Sequence, residues 1–422
     1  MPDELRDLQL LGDAIRIRFI VSPTSINSGL VLAATVAALV CVFHPRVVNS
    51  VRWRATVTPL ASIIGSGFLI LAPILKHDFG SWGFLVMLAL CVVAYGIGGA
   101  IRFNIARHDS YRAQSALLPT IVSRLENLAS SVLALAYVIS ITYYLNLFGA
   151  FSVSLTSVND QALARIVTTA PLAFVALFGW IRGFSALERL EEGTVGLKLG
   201  IIVGLLVGLI AFAAERLGRG DGLYFATTDH LGWNSIAVAM GLLVTVQGFE
   251  TSRYLGEEYD AETRIRTMRY SQWISSAIYL VYIALTTFCF SDRQVGDHET
   301  AIVGMTQLVA PVLPTMLVAA ALAAQFSAAV TDTAGCGGLA EEVIRHRIGP
   351  KSTYLLIGIC GVTLTWTADI YSIIALASRA FAAYYAIQCS IAVVFSARSN
   401  KRHRLGRCLN RMPARRFETV AF

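Results

Sequence analysis

The chain carries little charge for its length. Of its 422 residues, 14% are Asp, Glu, Lys or Arg, whereas soluble globular proteins carry about 25%. It also lacks a polar stretch of domain size: the longest are the two tails, residues 1–27 and 397–422, and an independent domain needs about 50 residues or more. These two deficits exclude a soluble globular protein.

The usual signs of a catalytic or metal-binding protein are missing as well. The seven cysteines are scattered, and no pair has the spacing of a zinc site or a redox motif. No phosphate-binding loop occurs, and neither a nucleophile with a base nor a pair of acids recurs at a usable spacing. We therefore expect no structural disulfide, no metal or other cofactor, and no enzymatic activity.

Apolar residues are abundant, at 55% of the chain. They form eleven stretches, and a membrane-spanning helix needs about 20 such residues. The sequence therefore predicts an all-α polytopic membrane protein with about 11 transmembrane helices. The first stretch is an extra N-terminal span, and the other ten are core helices numbered in chain order. The predicted spans are 28–43, 55–75, 81–101, 128–152, 165–183, 194–214, 235–256, 271–290, 309–335, 352–368 and 370–396.

Lysine and arginine are distributed unevenly between the loops. Loops on one side, with the basic C-terminal tail, hold 24 of them, loops on the other side hold 8, and Lys198 and Arg379 fall inside spans. Because positive charge resists translocation, the side rich in Lys and Arg should be cytoplasmic. We predict a plasma (inner) membrane protein with a cytoplasmic C-terminus, an external N-terminus and no signal peptide. The net charge of +7 then reflects topology and indicates no nucleic-acid partner.

The first core helix has small residues at its middle, namely Gly65, Ser66 and Gly67. They favour an unwound segment, which membrane proteins tolerate where it lines a cavity or is buried in protein. Discontinuous helices of this kind form the substrate sites of many secondary transporters. The alternative is a continuous helix whose small residues allow close packing with a neighbour.

The sixth core helix has Gly248 at its middle. At helical spacing, Gln247, Glu250, Thr251 and Tyr254 form a continuous polar stripe along one face. A carboxylate near the bilayer centre costs at least about 2.5 kcal/mol, so Glu250 should face a cavity or a partner. Glu250 either contacts a substrate or only ties this helix to a neighbouring helix.

The fifth core helix has a glycine at every fourth position: Gly196, Gly200, Gly204 and Gly208. This spacing predicts a smooth surface for close contact with another helix, and Lys198 points away from it. Lys198 either extends its amine to water at the cytoplasmic end or is a buried amine whose proton can come and go.

Polar residues in three other core helices are weaker candidates. In the eighth, Ser327 and Thr331 share a face that could ligate a small cation, although such hydroxyls also bond their own backbone, and Asp332 lies on another face. In the tenth, Arg379 needs a carboxylate, a substrate anion or water. In the third, Tyr144 belongs to a polar aromatic face that is more typical of helix packing than of ligand binding.

Three of these motifs together resemble the amino acid/polyamine/organocation (APC) superfamily of permeases: IGSGF in the first core helix, the lysine in the fifth and GFETSRYLGEE in the sixth. The resemblance covers residues 55–396. It implies the LeuT-like fold of two inverted five-helix repeats, here 55–214 and 235–396, in which the first and sixth core helices are discontinuous.

The resemblance also implies roles for individual residues. Backbone amides of residues 65–67 would receive a substrate carboxylate, and backbone carbonyls of residues 246–248 would receive its amine. Lys198 matches a lysine that takes the place of a sodium ion in some proton-coupled members. The candidate substrate-binding residues are Ile64, Gly65, Ser66, Gly67, Tyr144, Val246, Gln247, Gly248, Glu250 and Arg379; the candidate coupling residues are Lys198, Ser327, Thr331 and Asp332.

The chain departs from the family pattern in three respects. It has ten core helices and an extra span in front of them, whereas many members have twelve spans. Arg379 stands where the family usually has an apolar residue, which implies an altered substrate or gate. AAQFSAAVTDT in the eighth core helix also resembles solute–sodium symporters, in which a Ser or Thr pair binds sodium, but the second position here is Ala328.

The sequence thus favours a secondary active transporter of amino acids or related small amines that works by alternating access and is proton-coupled or an exchanger. Its expected partners are that small-molecule substrate, protons and the lipid bilayer. The first alternative is a sodium-coupled symporter of the same fold. The second is a sensor that keeps the fold without transport.

Overall fold

The structure is a computed structural model. It describes residues 23–65, 67–154, 156, 160–182, 185–225, 232–256, 258–296, 300–343 and 350–409. Within these ranges the regular elements are helices, and no strand occurs. The long helices and half helices are α1 (Pro23–Val42), α2 (Pro45–Val48), α3 (Val51–Ile63), α4 (Phe68–Phe79), α5 (Gly83–Ala113), α6 (Thr120–Val153), α7 (Gln161–Arg182), α8 (Ser185–Gly218), α9 (Trp233–Gly241), α10 (Thr251–Tyr254), α11 (Ala261–Cys289), α12 (Ala301–Gln307), α13 (Leu313–Val343), α14 (Pro350–Thr367) and α15 (Ile370–Leu409).

The described helices confirm a polytopic all-α membrane protein. Eight segments are long and apolar enough to cross a membrane, and Ile26–Val42 and Ser352–Thr367 are shorter apolar helices. One of the eight segments, Phe68–Ala113, combines the half helix α4 with the full helix α5. Each of the eleven predicted spans therefore coincides with a helix or with a pair of half helices.

Two core helices are interrupted, as predicted. The first consists of α3 and α4, separated at residues 64–67. The sixth consists of α9, a 3-10 helix at Leu242–Val246 and α10, with a break at residues 247–250. Gln247 is extended, and Gly248 has a φ of +114°, a conformation that side chains with a Cβ rarely adopt.

The break corrects one detail of the sequence analysis. The polar stripe from Gln247 to Tyr254 assumed continuous helix, and that assumption is wrong because the chain is extended at Gln247. Gln247, Glu250 and Thr251 are nevertheless buried. Their side chains are directed by the irregular backbone of the break and not by helical periodicity.

The glycine surface on α8 packs against α1, the extra N-terminal helix. A Cβ on Gly200, Gly204 or Gly208 would contact Leu39, Thr35 or Val31 of α1, in that order, and a Cβ on Gly196 would contact Phe43, directly after α1. This confirms the predicted close contact and identifies the partner helix. Lys198 lies away from that contact and is 3% exposed, so it does not reach water from the helix surface.

Two cations that the loop assignment placed outside the spans are buried within helices. Lys76 of α4 is 2% exposed, and its Nζ donates to the carbonyl of Thr287 at 2.9 Å and lies 3.2 Å from Asp292 Oδ1. Arg102 of α5 is 7% exposed. The loop boundaries were misplaced because both residues follow directly on apolar runs, and periodicity does not fix where a helix ends.

Candidate substrate site at the two helix breaks

The two interrupted helices touch at their breaks, and each contact requires a glycine. A Cβ on Gly67 would lie 2.6 Å from Thr245 Cα. A Cβ on Gly248 would lie 2.6 Å from the carbonyl carbon of Ser62 and 2.7 Å from the amide nitrogen of Ile63. Backbone therefore meets backbone in both directions across the middle of the bundle.

Tyr279 of α11 joins the two breaks. Its hydroxyl oxygen lies 2.7 Å from the carbonyl oxygen of Ile63, at the end of α3, and 2.7 Å from that of Thr245, near the end of the 3-10 helix. The residue is 1% exposed. The sequence analysis missed Tyr279, since a lone tyrosine in an apolar helix gives no signal beyond its polar hydroxyl.

The break in the first core helix is stabilised by Lys198. The amide of Gly65 donates to the carbonyl of Ser62 at 3.2 Å, so it does not form the α-helical bond to the carbonyl of Ala61. Lys198 Nζ donates to the Ala61 carbonyl instead, at 2.7 Å. The end of α3 thus presents a backbone oxygen to a buried amine, which satisfies a group that hydrocarbon could not.

The backbone amides of residues 65–67 are not equally available to an anion. That of Gly65 is already bonded, whereas Gly67 is the N-cap of α4 and stands at a helix N-terminus. Ile64 closes the preceding half helix, and its amide donates to the carbonyl of Leu60 at 2.9 Å. Ser66 lies outside the described residues. The N-terminus of α4 is therefore the part of this break suited to an anion.

The break in the sixth core helix is organised by Glu250, which is fully buried. Its Oε2 accepts hydrogen bonds from the amide of Gly248 at 2.9 Å and from the hydroxyl of Tyr385 at 2.8 Å. Its Oε1 is buried and has no hydrogen-bond partner among the described residues. Tyr385, on α15, is a second residue that the sequence analysis did not identify.

Gln247 faces the third core helix. Its Nε2 donates to the hydroxyl of Tyr144 at 2.9 Å, while its Oε1 is buried without a partner in the described part of the chain. The carbonyl of Gly248 accepts from both the amide and the hydroxyl of Thr251. Of the carbonyls at residues 246–248, those of Val246 and Gln247 are therefore better suited to an incoming amine than that of Gly248.

The eighth core helix, α13, adds a second buried carboxylate. Asp332 is 2% exposed and accepts a hydrogen bond from Ser140 of α6. Thr331 donates to the carbonyl of Ser327 at 3.0 Å, so its hydroxyl proton bonds the backbone of its own helix. Ala328 packs at the first break, because a Cβ on Gly65 would lie 3.7 Å from the Cβ of Ala328.

Arg379 lies apart from these groups. It lines a cavity of about 480 Å³ between α4, α9 and α15, at the end of the bundle predicted to face outside. His77 and Asp78 line the same cavity and are hydrogen-bonded to each other at 2.8 Å. Among the described residues, no ion pair joins Arg379 to Glu250, whose bonded oxygen faces Tyr385 instead.

A network of charged and polar side chains joins the helices at the opposite end of the bundle. Arg253 of α10 pairs with Glu126 of α6 at 2.5 Å and donates to Gln388 of α15. His108 of α5 lies 2.8 Å from the other oxygen of Glu126, and Asn104 donates to Gln388 at 2.9 Å. Four helices are thereby tied together at the end predicted to be cytoplasmic.

These features define a polytopic membrane protein whose polar centre consists of two helix breaks in contact. A helix N-terminus lies on one side, and on the other lie buried acceptors that have no partner in the described part of the chain. A family model described as "APC superfamily transporter" matches residues 45–412. An uncharacterized protein of Aquifex aeolicus (strain VF5) is 37% identical over 380 residues, which cover 89% of this chain and 92% of the relative. The chain belongs to the APC superfamily of transporters.

Proposed function

We propose that this transporter is a secondary active permease for amino acids or related small amines, and that it couples their movement to protons. The observation that carries the proposal is the hydrogen bond from Lys198 to the Ala61 carbonyl, at the break of the first core helix. A cation is favourable at the C-terminus of a half helix, and here a titratable amine occupies that position. Loss of its proton would remove the cation from the break.

The polar groups at the breaks fit a zwitterion. The N-terminus of α4, beginning at Gly67, offers amide donors and a positive dipole end to a carboxylate. The carbonyls of Val246 and Gln247 offer acceptors to an ammonium group, as do the Oε1 atoms of Gln247 and Glu250, which have no partner among the described residues. An α-amino acid carries both groups within one short molecule.

The access route follows from the two ends of the bundle. The network of Arg253, Glu126 and His108 joins the helices at the end predicted to be cytoplasmic, where His108 and Arg253 also line a cavity of about 790 Å³. At the other end, Arg379 lines a cavity of about 480 Å³. We infer that the substrate path starts at the cavity beside Arg379. In this orientation the protein lies in the inner (plasma) membrane, with its N-terminus outside and its C-terminus in the cytoplasm. Arg379 then attracts the carboxylate of an approaching substrate.

Uptake into proteoliposomes tests the proposal. Purified protein is reconstituted, and uptake of radiolabelled amino acids and amines is measured under a pH gradient, a sodium gradient or neither. We expect accumulation that follows the proton gradient. Binding without accumulation under every gradient would favour a sensor. Accumulation that requires sodium would favour a sodium-coupled symporter, the alternative suggested by the AAQFSAAVTDT segment.

Lys198→Met tests the coupling residue itself. Because it removes the titratable amine, the pH dependence of uptake should flatten while some substrate binding persists. Lys76→Met is a matched control: Lys76 is also buried and also donates to a backbone carbonyl, but it lies beside Asp292. It should lower stability and leave the pH profile in place. An unchanged profile in Lys198→Met would contradict proton coupling through Lys198.

A further inference from the structure

An arginine and aromatic cluster lies at the surface between α5 and α11, at the end predicted to be cytoplasmic. We call it the arginine–aromatic patch, and it comprises Tyr95 and Arg102 of α5 with Arg269, Tyr270 and Trp273 of α11. The proposed substrate path uses none of these residues. The patch has three properties that together point to a ligand.

The first property is an uncompensated positive charge. Arg102 donates to the side-chain oxygen of Gln272 and to the carbonyl of Tyr95, which are both neutral. Within the described residues neither Arg102 nor Arg269 belongs to an ion pair, and Arg269 lies one turn before Gln272, the residue that accepts from Arg102. By contrast, Arg266, one turn from Arg269, is paired with Glu262. Two like charges at a membrane surface favour an anion between them.

The second property is an exposed aromatic surface next to these arginines. The guanidinium carbon of Arg102 lies 4.7 Å from the ring centroid of Tyr95, which stacks on Trp273 at 6.5 Å and 17°. Tyr270 and Trp273 have ring centroids 6.2 Å apart. Tyr95, Tyr270 and Trp273 are 37%, 38% and 52% exposed. Tyr and Trp with one apolar and one polar end are typical of the headgroup level of a bilayer.

The third property is position on the lipid-facing side of the bundle. Farther along the same two helices, Val92 is 63% exposed, Val93 51% and Val281 42%, as expected for residues that face acyl chains. The patch follows these residues at the end where Lys and Arg accumulate in the loops. It is therefore placed where the apolar part of the bilayer gives way to the headgroups.

We propose that the arginine–aromatic patch binds the phosphate of an anionic phospholipid headgroup. Arg269 is exposed and can meet the phosphate, while buried Arg102 adds attraction from behind it. Guanidinium groups match phosphate oxygens in geometry and charge, and basic pockets between helices on the cytoplasmic side are suited to anionic lipids. The aromatic rings cover the glycerol region of the same lipid.

A bound lipid would brace the helix that joins the two breaks. Gln272, which accepts from Arg102, donates to the carbonyl of Ala94 at 2.8 Å and so ties α11 to α5. It also lines a small cavity with Ile63, Val246 and Tyr279, which belong to the breaks and their bridge. The proposal predicts that anionic lipid stabilises the protein whether or not a substrate is present.

Lipid nanodiscs provide the test. Full-length protein is placed in phosphatidylcholine nanodiscs with or without phosphatidylglycerol, and thermal unfolding and the lipids retained in native mass spectra are recorded. Phosphatidylglycerol should raise the unfolding midpoint of the wild type. In Arg269→Gln the apparent affinity for this lipid should fall about fivefold, the effect of one arginine near the surface. Arg124→Gln is the control, because Arg124 is also exposed at this end but lies outside the patch.

Two outcomes would overturn the proposal. One is an equal response to phosphatidylglycerol in Arg269→Gln and Arg124→Gln, which would show a non-specific surface charge effect. The other is equal stabilisation by inorganic phosphate in phosphatidylcholine nanodiscs, which would identify a free-anion site. Trp273→Ala provides a second variant that keeps both arginines. It should weaken retention of the lipid and leave the response to inorganic phosphate unchanged.

Discussion

The two helix breaks are held by ionisable side chains of opposite kind, a base at the first and an acid at the second. At the first, the end of α3 exposes a carbonyl, and the buried amine of Lys198 donates to it. At the second, the backbone exposes an amide at Gly248, and the buried carboxylate of Glu250 accepts from it. A half helix that ends in a membrane needs a donor at its C-terminus and an acceptor at its N-terminus, because no water supplies either one.

This difference assigns different tasks to the two breaks. Each charged side chain stabilises unwound backbone, yet each is also a titratable group next to the proposed substrate position. The breaks are not independent, because Tyr279 contacts both and a glycine of each fits against the backbone of the other. Variants that damage one break, both breaks or neither therefore separate stabilisation of the backbone from a role in transport.

The largest effect is expected from a side chain at the contact between the breaks. In Gly248→Ala the new Cβ would overlap Ser62 and Ile63, in a conformation with φ of +114° that alanine rarely adopts. Backbone strain of about 1–2 kcal/mol and overpacking of about 1–3 kcal/mol should together reduce uptake roughly 100-fold. Gly67→Leu should do the same through Thr245. Uptake is measured in proteoliposomes with matched amounts of inserted protein.

Gly96→Ala is the control for these variants. Gly96 lies in α5, and a Cβ there would meet nothing within 4 Å. Normal uptake by Gly96→Ala together with wild-type uptake by Gly67→Leu or Gly248→Ala would contradict the contact between the two breaks as the site of transport.

A smaller loss is expected when the bridge between the breaks is removed. Tyr279→Phe deletes the hydroxyl that lies 2.7 Å from each of the two carbonyls. A buried polar group left unsatisfied costs about 1–3 kcal/mol, so uptake should fall about tenfold or more through a change in both breaks. Tyr282→Phe is the control, because that hydroxyl lies 3.4 Å from the carbonyl of Leu69 within α4, and among the described residues it bonds neither Ile63 nor Thr245. Equal losses in both variants would reduce the role of Tyr279 to packing.

Glu250→Gln separates charge from hydrogen bonding at the second break. The amide oxygen of glutamine can still accept from Gly248, but the negative charge is lost. Hydrogen bonds to a charged group contribute about 1.5–3 kcal/mol, against about 1 kcal/mol for neutral ones, so the KM for amine substrates should rise several-fold. Steady-state uptake kinetics measure it. If kcat falls while KM stays constant, Glu250 organises the helix and does not contact the substrate.

Much of this architecture could be predicted from the sequence. Hydropathy located the spans, since each transmembrane helix needs a long apolar segment. Gly65, Gly67 and Gly248 marked both breaks because a lack of side chains leaves a recognisable local pattern. Helical spacing also predicted that Lys198 points away from the glycine surface, but it left open whether the amine reaches water, and its burial required the structure.

Contacts between distant segments were not predictable in this way. Tyr279 and Tyr385 complete the breaks, but nothing in their own sequence neighbourhood distinguishes them from packing residues. The polar stripe failed at Gln247 because helical spacing does not apply across a break. That α1 covers the glycine surface of α8 also required the structure, because a packing surface does not name its partner.

The smallest effect is expected at a helix end that water can reach. Asp369 precedes α15, and its carboxylate accepts hydrogen bonds from the hydroxyl and the amide of Ser372. These bonds hold the pKa of Asp369 below its ordinary value. The stabilisation is therefore present above the pKa of an unfolded aspartate, about 3.9, and is lost as the pH falls through the lower pKa of the folded protein.

Asp369→Ala should reduce the free energy of unfolding by about 0.5 kcal/mol at neutral pH, and this difference should shrink in acid. Thermal unfolding of the purified protein at both pH values measures it, with Asp369→Asn as a control that keeps an acceptor at every pH. If Asp369→Ala lowered the free energy of unfolding as much as Tyr279→Phe does, the contrast between a helix end in water and one inside the membrane would not hold.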